Sequence, residues 1–302
     1  MNARTKRSAA SALGLGMVGG LQWRLMLLWV FITLLPTLVV ALPLWRVLDG
    51  LLGHSVHAEE WARHFNGLFL GDVSSALQAS PWIGSAFVAG AVLTLAISPF
   101  LSGMAVAGGR ANRALSFGGL LQGGATEYGR MLRLLPLSLI PYGLVVLAAK
   151  GVSSLVDDKV DAALLPSTAD MYQHGSLVLI ALCFVVAQAI VESARAQFIA
   201  DITLRSAWRA FGRGVVQVVR RPVASLFAYV VITAVGLGLT VLIASWRGHS
   251  VAVGGEWFAA FLIVQLGVAI VAWMRTARLL ALAGLSGATQ QRRRRSDFAP
   301  AL

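Results

Sequence analysis

Six long apolar segments, separated by charged stretches, dominate the pattern of this chain. Each holds close to the roughly 20 apolar residues that an α-helix needs to cross about 30 Å of hydrocarbon. Most of these segments are too long to be half-spans. The pattern therefore predicts six membrane-spanning helices, over residues 25–44, 82–107, 132–149, 176–194, 223–245 and 258–274.

The first apolar segment, residues 25–44, is predicted to remain in the mature protein. A signal peptide has an apolar core of only about 7–15 residues, followed by a small-residue cleavage site. This segment is longer, lacks a clear site and precedes five further spans. We therefore expect a flexible basic tail over residues 1–20, a six-span bundle over 21–285 and a second flexible basic tail over 286–302.

The composition supports a membrane protein. Of the 302 residues, 57% are apolar and 13% are charged, whereas a typical soluble domain is about 25% charged. We therefore predict an all-α fold, a polytopic bundle of six transmembrane helices with interfacial amphipathic helices. The net charge of +12 does not indicate a nucleic-acid partner, because the basic residues are distributed between the spans instead of forming one patch.

The distribution of charge predicts an orientation. Twenty of the 25 Lys and Arg residues lie in the N-terminal region, after the second span, after the fourth span and after the sixth. The opposite side holds nine of the 13 acids and only five basic residues, which are Arg46, Arg63, Lys150, Lys159 and Arg247. By the positive-inside rule both termini are expected in the cytoplasm.

A basic amphipathic stretch links the fourth and fifth spans. Residues 198–219 are predicted to form a helix along the inner leaflet, with Trp208 and Phe211 dipping toward the acyl chains. Gly212 and Gly214 predict a bend. The alternative is a water-exposed loop whose arginines only set topology. The residues expected to face anionic headgroups or a partner are Arg205, Arg209, Arg213 and Arg220.

The loop after the first span offers the best metal candidate. His54, His57, Glu60 and His64 fall within about 120° on one helix, so they could converge on zinc. The favoured interpretation is that they solvate a short interfacial helix and hold no metal. Trp61 projects into the same arc and would crowd the ligands.

Polar residues inside the predicted spans form a second candidate set. Gln188, Glu192 and Arg195 follow i, i+4, i+7 spacing near one end of the fourth span. Ionisable groups at membrane depth indicate function by default. The favoured alternative is an ion pair between Glu192 and Arg195 at the helix end. Gln265 is expected to hydrogen-bond to another helix.

Catalytic motifs are absent from the sequence. It has no P-loop, no HExxH and no GxSxG, so we predict neither an enzyme nor a cofactor. The single cysteine, Cys183, lies in an apolar run and forms no disulfide framework. Glycines 118, 119, 123 and 124 suggest a kinked re-entrant or interfacial segment.

Several short motifs resemble a group of poorly characterised bacterial six-helix inner-membrane proteins. Two follow the second span, Pro99-Phe100-Leu101 and Phe117-Gly118-Gly119. Two follow the fourth, Glu192-Ser193-Ala194-Arg195-Ala196 and Ala207-Trp208-Arg209-Ala210-Phe211. The resemblance covers most of residues 20–285. It implies the architecture and a bacterial origin, and it brings no catalytic residues.

Two functional classes remain open. The leading hypothesis is a non-enzymatic assembly or accessory component whose basic cytoplasmic face meets anionic lipid, a membrane-protein partner or a second copy of itself. The alternative is a small transporter or permease subunit, with Gln188 and Gln265 as the best polar groups near the midplane. An adjacent ATPase gene would favour transport.

Overall fold

Every element in the described part of the chain is an α-helix. The computed structural model describes residues 9–53, 67–111, 114–162, 165–249 and 257–297. The helices are α1 (Ala9–Gly19), α2 (Trp23–Leu52), α3 (Gly67–Ala79), α4 (Pro81–Arg110), α5 (Phe117–Asp161), α6 (Pro166–Ala200), α7 (Ala207–Arg220), α8 (Pro222–His249) and α9 (Trp257–Asp297).

Six of these helices are long and apolar enough to span a membrane, namely α2, α4, α5, α6, α8 and α9. The predicted all-α class and the number of spans are therefore confirmed. Several helices exceed the membrane in length. The 45 residues of α5 extend over about 68 Å at 1.5 Å per residue, roughly twice the hydrocarbon thickness. Such helices project well beyond the apolar layer.

Helix starts follow local sequence chemistry. Three helices begin at a proline. A backbone N–H in the first turn has no acceptor within the helix, so proline, which lacks this N–H, fits there without the loss of a hydrogen bond. Helix α5 begins after Ser116, whose hydroxyl accepts a hydrogen bond from the Gly119 N–H at 3.2 Å. The glycines of this region therefore lie in the first turns of a continuous helix, so the expected re-entrant segment is wrong, whereas an interfacial position stays a prediction. Gly124 instead allows close contact with Met104 and Phe100 of α4.

Burial is concentrated at one end of the bundle. We call this region the basic end; it comprises α1, α7 and residues 101–110, 117–138, 187–200 and 272–286. Its fully buried side chains include Phe198, Met104 and Leu282. In the spanning windows only 17–33% of residues are buried. The remaining apolar surface is available to lipid, and tertiary packing is strongest at the basic end.

The N-terminal region differs from the expected flexible tail. Residues 9–19 form α1, which packs on α9. Ala12 is buried, and the Trp273 indole N–H donates a 2.9 Å hydrogen bond to the carbonyl of Met17. Small residues make this contact close, since a Cβ at Gly16 would lie 2.8 Å from that of Ala281. Hydropathy alone did not reveal this docking.

The C-terminal boundary also differs from the expectation. Helix α9 continues through the predicted boundary at residue 286 and ends at Asp297. The stretch after the last span, LLALAGLSGA, is rich in leucine and alanine, which favour helix. Within it Leu282 and Leu285 belong to the buried core, so tertiary packing continues along the helix beyond the predicted span of residues 258–274.

Helix α7 packs closely on α6 through small residues. A Cβ at Gly214 would lie only 2.6 Å from the backbone nitrogen of Ala194, so this position requires glycine. The Gln197 amide donates to the Gln217 side-chain oxygen at 2.6 Å, and the Gln217 amide donates to the carbonyl of Leu282 at 3.1 Å. These bonds tie α7 to both α6 and α9. The helix is not interrupted at the glycines, where a bend was expected.

Two alanine substitutions in α7 should change stability in opposite directions. Gly214→Ala forces a methyl group into the α6 backbone and should destabilise the protein by about 1–3 kcal/mol. Gly212→Ala is the matched control, since a Cβ there meets no atom within 4 Å. It should stabilise the helix by about 0.5–1 kcal/mol. Thermal unfolding in mild detergent measures the stability of both variants. Equal effects would contradict the close packing of Gly214 on α6.

Candidate functional site

Helix α7 carries three distinct faces. The first is buried against the bundle and consists of Ala207, Ala210, Gly214 and Val218. The second is apolar and turned away from the core, and consists of Trp208, Val215 and Val219. The third is basic and consists of Arg209, Arg213 and Arg220. At about 100° per residue, the three faces are centred roughly 120° apart.

The apolar face is unusually open for aromatic and branched residues. Trp208 is 67% exposed and Val219 is 70% exposed. Phe211, expected to dip toward lipid, is instead half-buried and packs on the core around Phe198. The predicted helix start at residue 198 is also wrong. Phe198 is fully buried at the end of α6, and residues 201–206 form a turn before α7.

The turn before α7 is held by Asp201. Its carboxylate accepts hydrogen bonds from the Thr203 hydroxyl at 2.6 Å and from the Arg213 guanidinium at 2.7 Å. The Thr203 hydrogen bond, followed by the one from Arg213, lowers the pKa of Asp201. Of the four predicted arginines, Arg213 is therefore engaged within the protein. The side chains of Arg205, Arg209 and Arg220 are exposed and make no ion pair with the described residues.

A buried ion pair joins α6 and α9 next to α7. Glu192 is 4% exposed and Arg278 is 6% exposed, and a guanidinium nitrogen of Arg278 lies 2.7 Å from a carboxylate oxygen of Glu192. Arg278 also donates to the Thr233 hydroxyl at 3.0 Å and lies 4.8 Å from the Tyr229 ring centre. The expected pair between Glu192 and Arg195 is therefore wrong. The partner of Glu192 lies on α9, which is distant from α6 in sequence.

The buried pair is not fully satisfied. The second carboxylate oxygen of Glu192 and the Nε of Arg278 have no hydrogen-bond partner, and neither have the hydroxyls of Ser193 and Ser225. Unpaired polar atoms in a low-dielectric interior raise the free energy of the folded state. An internal water would relieve this strain if it reached these atoms.

A second ion-pair cluster joins α4 and α5. Glu127 accepts hydrogen bonds from Arg110 at 2.6 Å and from Arg130 at 3.0 Å. Arg110 also donates from Nε to the carbonyl of Phe198 at 2.8 Å. Sequence reasoning missed this cluster. The i, i+3 spacing of Glu127 and Arg130 was a usable signal, whereas the role of Arg110 depends on tertiary packing.

The other predicted polar residues are not brought together. Gln188 and Gln265 are half-buried. Neither makes a hydrogen bond within the described residues, so the interhelical bond expected of Gln265 is not seen there. The predicted metal residues His54, His57, Glu60 and His64 lie outside the described residues, and that prediction stays untested. Where the structure is described, no three His, Cys, Asp or Glu side chains form a metal-binding group.

The six apolar helices define the class of protein: a multi-pass integral membrane protein. In comparisons with known proteins, no family model matches the chain, and no curated protein or solved structure matches it either. The resemblance to bacterial six-helix inner-membrane proteins therefore stays a prediction.

Breaking the buried pair should be strongly destabilising. Glu192→Met and Arg278→Met each leave one charge buried alone and should each destabilise the protein by about 3–5 kcal/mol. The double variant E192M/R278M removes both charges and should be more stable than either single variant. Arg195→Met is the control for local charge. Additive losses in denaturant unfolding would contradict the pairing.

The Asp201 contact predicts a defined pH dependence. Because its pKa is lower when folded, Asp201 contributes stability above its unfolded pKa of about 3.9, and this stability is lost as the pH falls through the folded pKa. The stability difference between wild type and Asp201→Asn should therefore be constant above about pH 5 and shrink below about pH 4. Unfolding in detergent from pH 7 to pH 3 measures it. Asp158→Asn, on the opposite side, is the control, and a pH-independent difference for D201N would contradict the account.

Proposed function

We propose that the protein is a non-enzymatic assembly or accessory component of a bacterial inner membrane. Its basic end faces the cytoplasm, and α7 rests on the inner leaflet, where it binds anionic headgroups. The observation that carries this proposal is the arrangement of α7 into buried, apolar and basic faces. A water-exposed helix needs only a buried face, whereas a helix at an interface needs all three.

The apolar face supports insertion into the headgroup boundary. Trp208 and Val219 would be costly to expose to water, and Trp is favoured at the membrane interface. Val223, four residues after Val219, is 80% exposed at the start of the spanning helix α8. Exposed apolar residues on both α7 and the adjoining span support a position of the two helices against the same bilayer.

The basic face supports recognition of anionic lipid. Each arginine near an anionic surface contributes about 1 kcal/mol, and salt screens this contribution. With Arg213 engaged by Asp201, the free set is Arg205, Arg209 and Arg220. Together they supply roughly 3 kcal/mol at most, because one geometry rarely suits all three. Such a surface also fits an acidic partner protein.

The depth of α7 can be tested by labelling neighbouring faces. In a Cys183→Ser background, an environment-sensitive fluorophore is placed at Val219→Cys on the apolar face or Arg220→Cys on the basic face. In nanodiscs with nitroxide-labelled acyl chains, the probe at 219 should be strongly quenched and blue-shifted, and the probe at 220 should not be. Equal, water-like emission at both positions would overturn the membrane-resting helix.

The charge contribution can be tested with a matched pair of double variants. R205Q/R209Q removes two free arginines from the α7 region, and R46Q/R133Q removes two exposed arginines elsewhere. Only the first should reduce the enrichment of phosphatidylglycerol over phosphatidylcholine in lipid retained after detergent extraction. The enrichment should also fall with salt. Equal losses in both variants would show that net charge alone selects lipid.

The buried pair favours a second candidate, a small transporter. Glu192 and Arg278 lie among spanning helices and carry unpaired polar atoms, as proton or ion pathways do. Proteoliposomes with an internal pH dye and an imposed potassium potential test this function. Proton flux that is lost in Glu192→Gln would favour transport, and flux equal to that of protein-free vesicles would favour the accessory role.

A further inference from the structure

A groove separates α3 from the first turns of α4, at the end of the molecule opposite the basic end. We call it the α3–α4 groove; it encloses about 510 Å³, a volume typical of a small-molecule site. One wall is the face of α3 that carries Leu70, Val73 and Leu77, which helical spacing brings together. The other wall is the face of α4 that carries Ile83 and Phe87. Two apolar helix faces are thus turned toward each other across the groove.

The length of α4 indicates the depth of this groove in the membrane. The 30 residues of α4 extend over about 45 Å, close to the roughly 40–45 Å thickness of a bilayer with its headgroup layers. Pro81 therefore lies among headgroups, and the next residue, Trp82, is 74% exposed, as suits a tryptophan at an interface. Phe87 lies about two turns further into the span, roughly 9 Å deeper. The groove thus extends from the headgroup layer to the upper part of the acyl chains.

The groove opens on the apolar surface that α4 presents to lipid. Phe87 at its deeper end is exposed, and so are Val88 and Val92 further along the span. Water fills an apolar gap at this depth poorly, because it needs two to four polar partners. An unfilled gap would lose dispersion contacts on both walls. An acyl chain, which already surrounds the span, is the apolar group that can enter.

The polar residues of the groove carry no charge. They are Ser74, Gln78 and Ser80, and no charged side chain is among the described residues that line the groove. The Gln78 amide donates a 3.0 Å hydrogen bond to the Ser74 hydroxyl. Its second N–H and the hydroxyl hydrogen of Ser74 remain as donors for the ester or phosphate oxygens of a lipid. Recognition in this groove therefore depends on apolar contact and not on headgroup charge.

We propose that the α3–α4 groove holds the upper part of one phospholipid acyl chain, in the leaflet opposite the basic end. The site goes beyond the proposed function and does not depend on it, because it lies at the other end of the bundle and needs no anionic headgroup. Only Ser80 lies between α3 and α4, so the bound chain also holds the two helices at a fixed angle.

The first experiment maps lipid contacts by photo-crosslinking. The full-length protein is placed in nanodiscs that contain a small fraction of phosphatidylethanolamine with a diazirine on an upper carbon of one acyl chain. Crosslinks should be about tenfold more frequent at residues 70–87 than at the exposed residues 237–242 of α8. Equal frequencies would result from general lipid contact or from another occupant of the groove, and would overturn the site.

The second experiment fills the groove from each wall in turn. A Cβ at Gly84 meets no atom within 4 Å, so Gly84→Phe adds a ring to the α4 wall without a backbone clash. Ser74→Trp fills the groove from α3. Each variant should lower crosslinking at residues 70–87 about tenfold.

Two matched variants control for the added bulk. Gly238→Phe changes an exposed glycine of α8 that is equally free of contacts, and Ser75→Trp changes the exposed neighbour of Ser74 that does not line the groove. Both should crosslink at residues 70–87 as wild type does. Circular dichroism shows which filling variants are folded. Crosslinking that persists in a folded G84F or S74W variant would overturn the site.

A third arm separates this groove from a site for anionic headgroups. Diazirine-labelled phosphatidylglycerol should crosslink at residues 70–87 as often as phosphatidylethanolamine, and added salt should not reduce either signal, because screening acts only on charges. A preference for phosphatidylglycerol that salt removes would overturn recognition through the acyl chain. The contribution of the α7 arginines is measured separately, so either proposal can fail without the other.

Discussion

The structure depends on the constraint that a charge within apolar helices must find an opposite charge there. Glu192 and Arg278 meet this constraint in a contact of 2.7 Å. Thr233 and Tyr229 add a third helix to the contact. Burying two ions costs several kcal/mol each before their attraction is counted. We therefore expect the pair to contribute to the register of α6, α8 and α9 more than to stability.

The helices of the basic end pack around this ion pair. Helix α7 can lie close to it only because Gly214 admits the backbone of Ala194, and Gln217 then connects α7 to α9. Helix α1 docks on α9 in a similar way, through small residues and the Trp273 hydrogen bond. At the opposite end the spans expose leucine, valine and phenylalanine, as lipid contact requires. The packed basic end and the apolar, exposed spans support the proposed role at the membrane surface.

The sequence predicted the spans well, because length and hydropathy alone determine whether a helix can cross the hydrocarbon. It could not predict the partner of Glu192, since local spacing favoured Arg195 and the actual partner lies 86 residues away in sequence. The surface helix was predicted as two-faced, because alanine and glycine carry little hydropathy signal. The alanine and glycine residues of α7 form a third face, which only the contact with α6 reveals. The docking of α1 escaped prediction for the same reason.

The central claim is that the basic end, with its ion pairs and α7, faces the cytoplasm. Single cysteines in a Cys183→Ser background test it most directly, at Ser167 near the start of α6 and at Ile202 in the turn before α7, both exposed. Ser206 is less suitable because its hydroxyl caps α7. In intact cells an impermeant thiol reagent should label position 167 and leave position 202 unlabelled until the cells are lysed. Labelling of position 202 from outside would contradict the account.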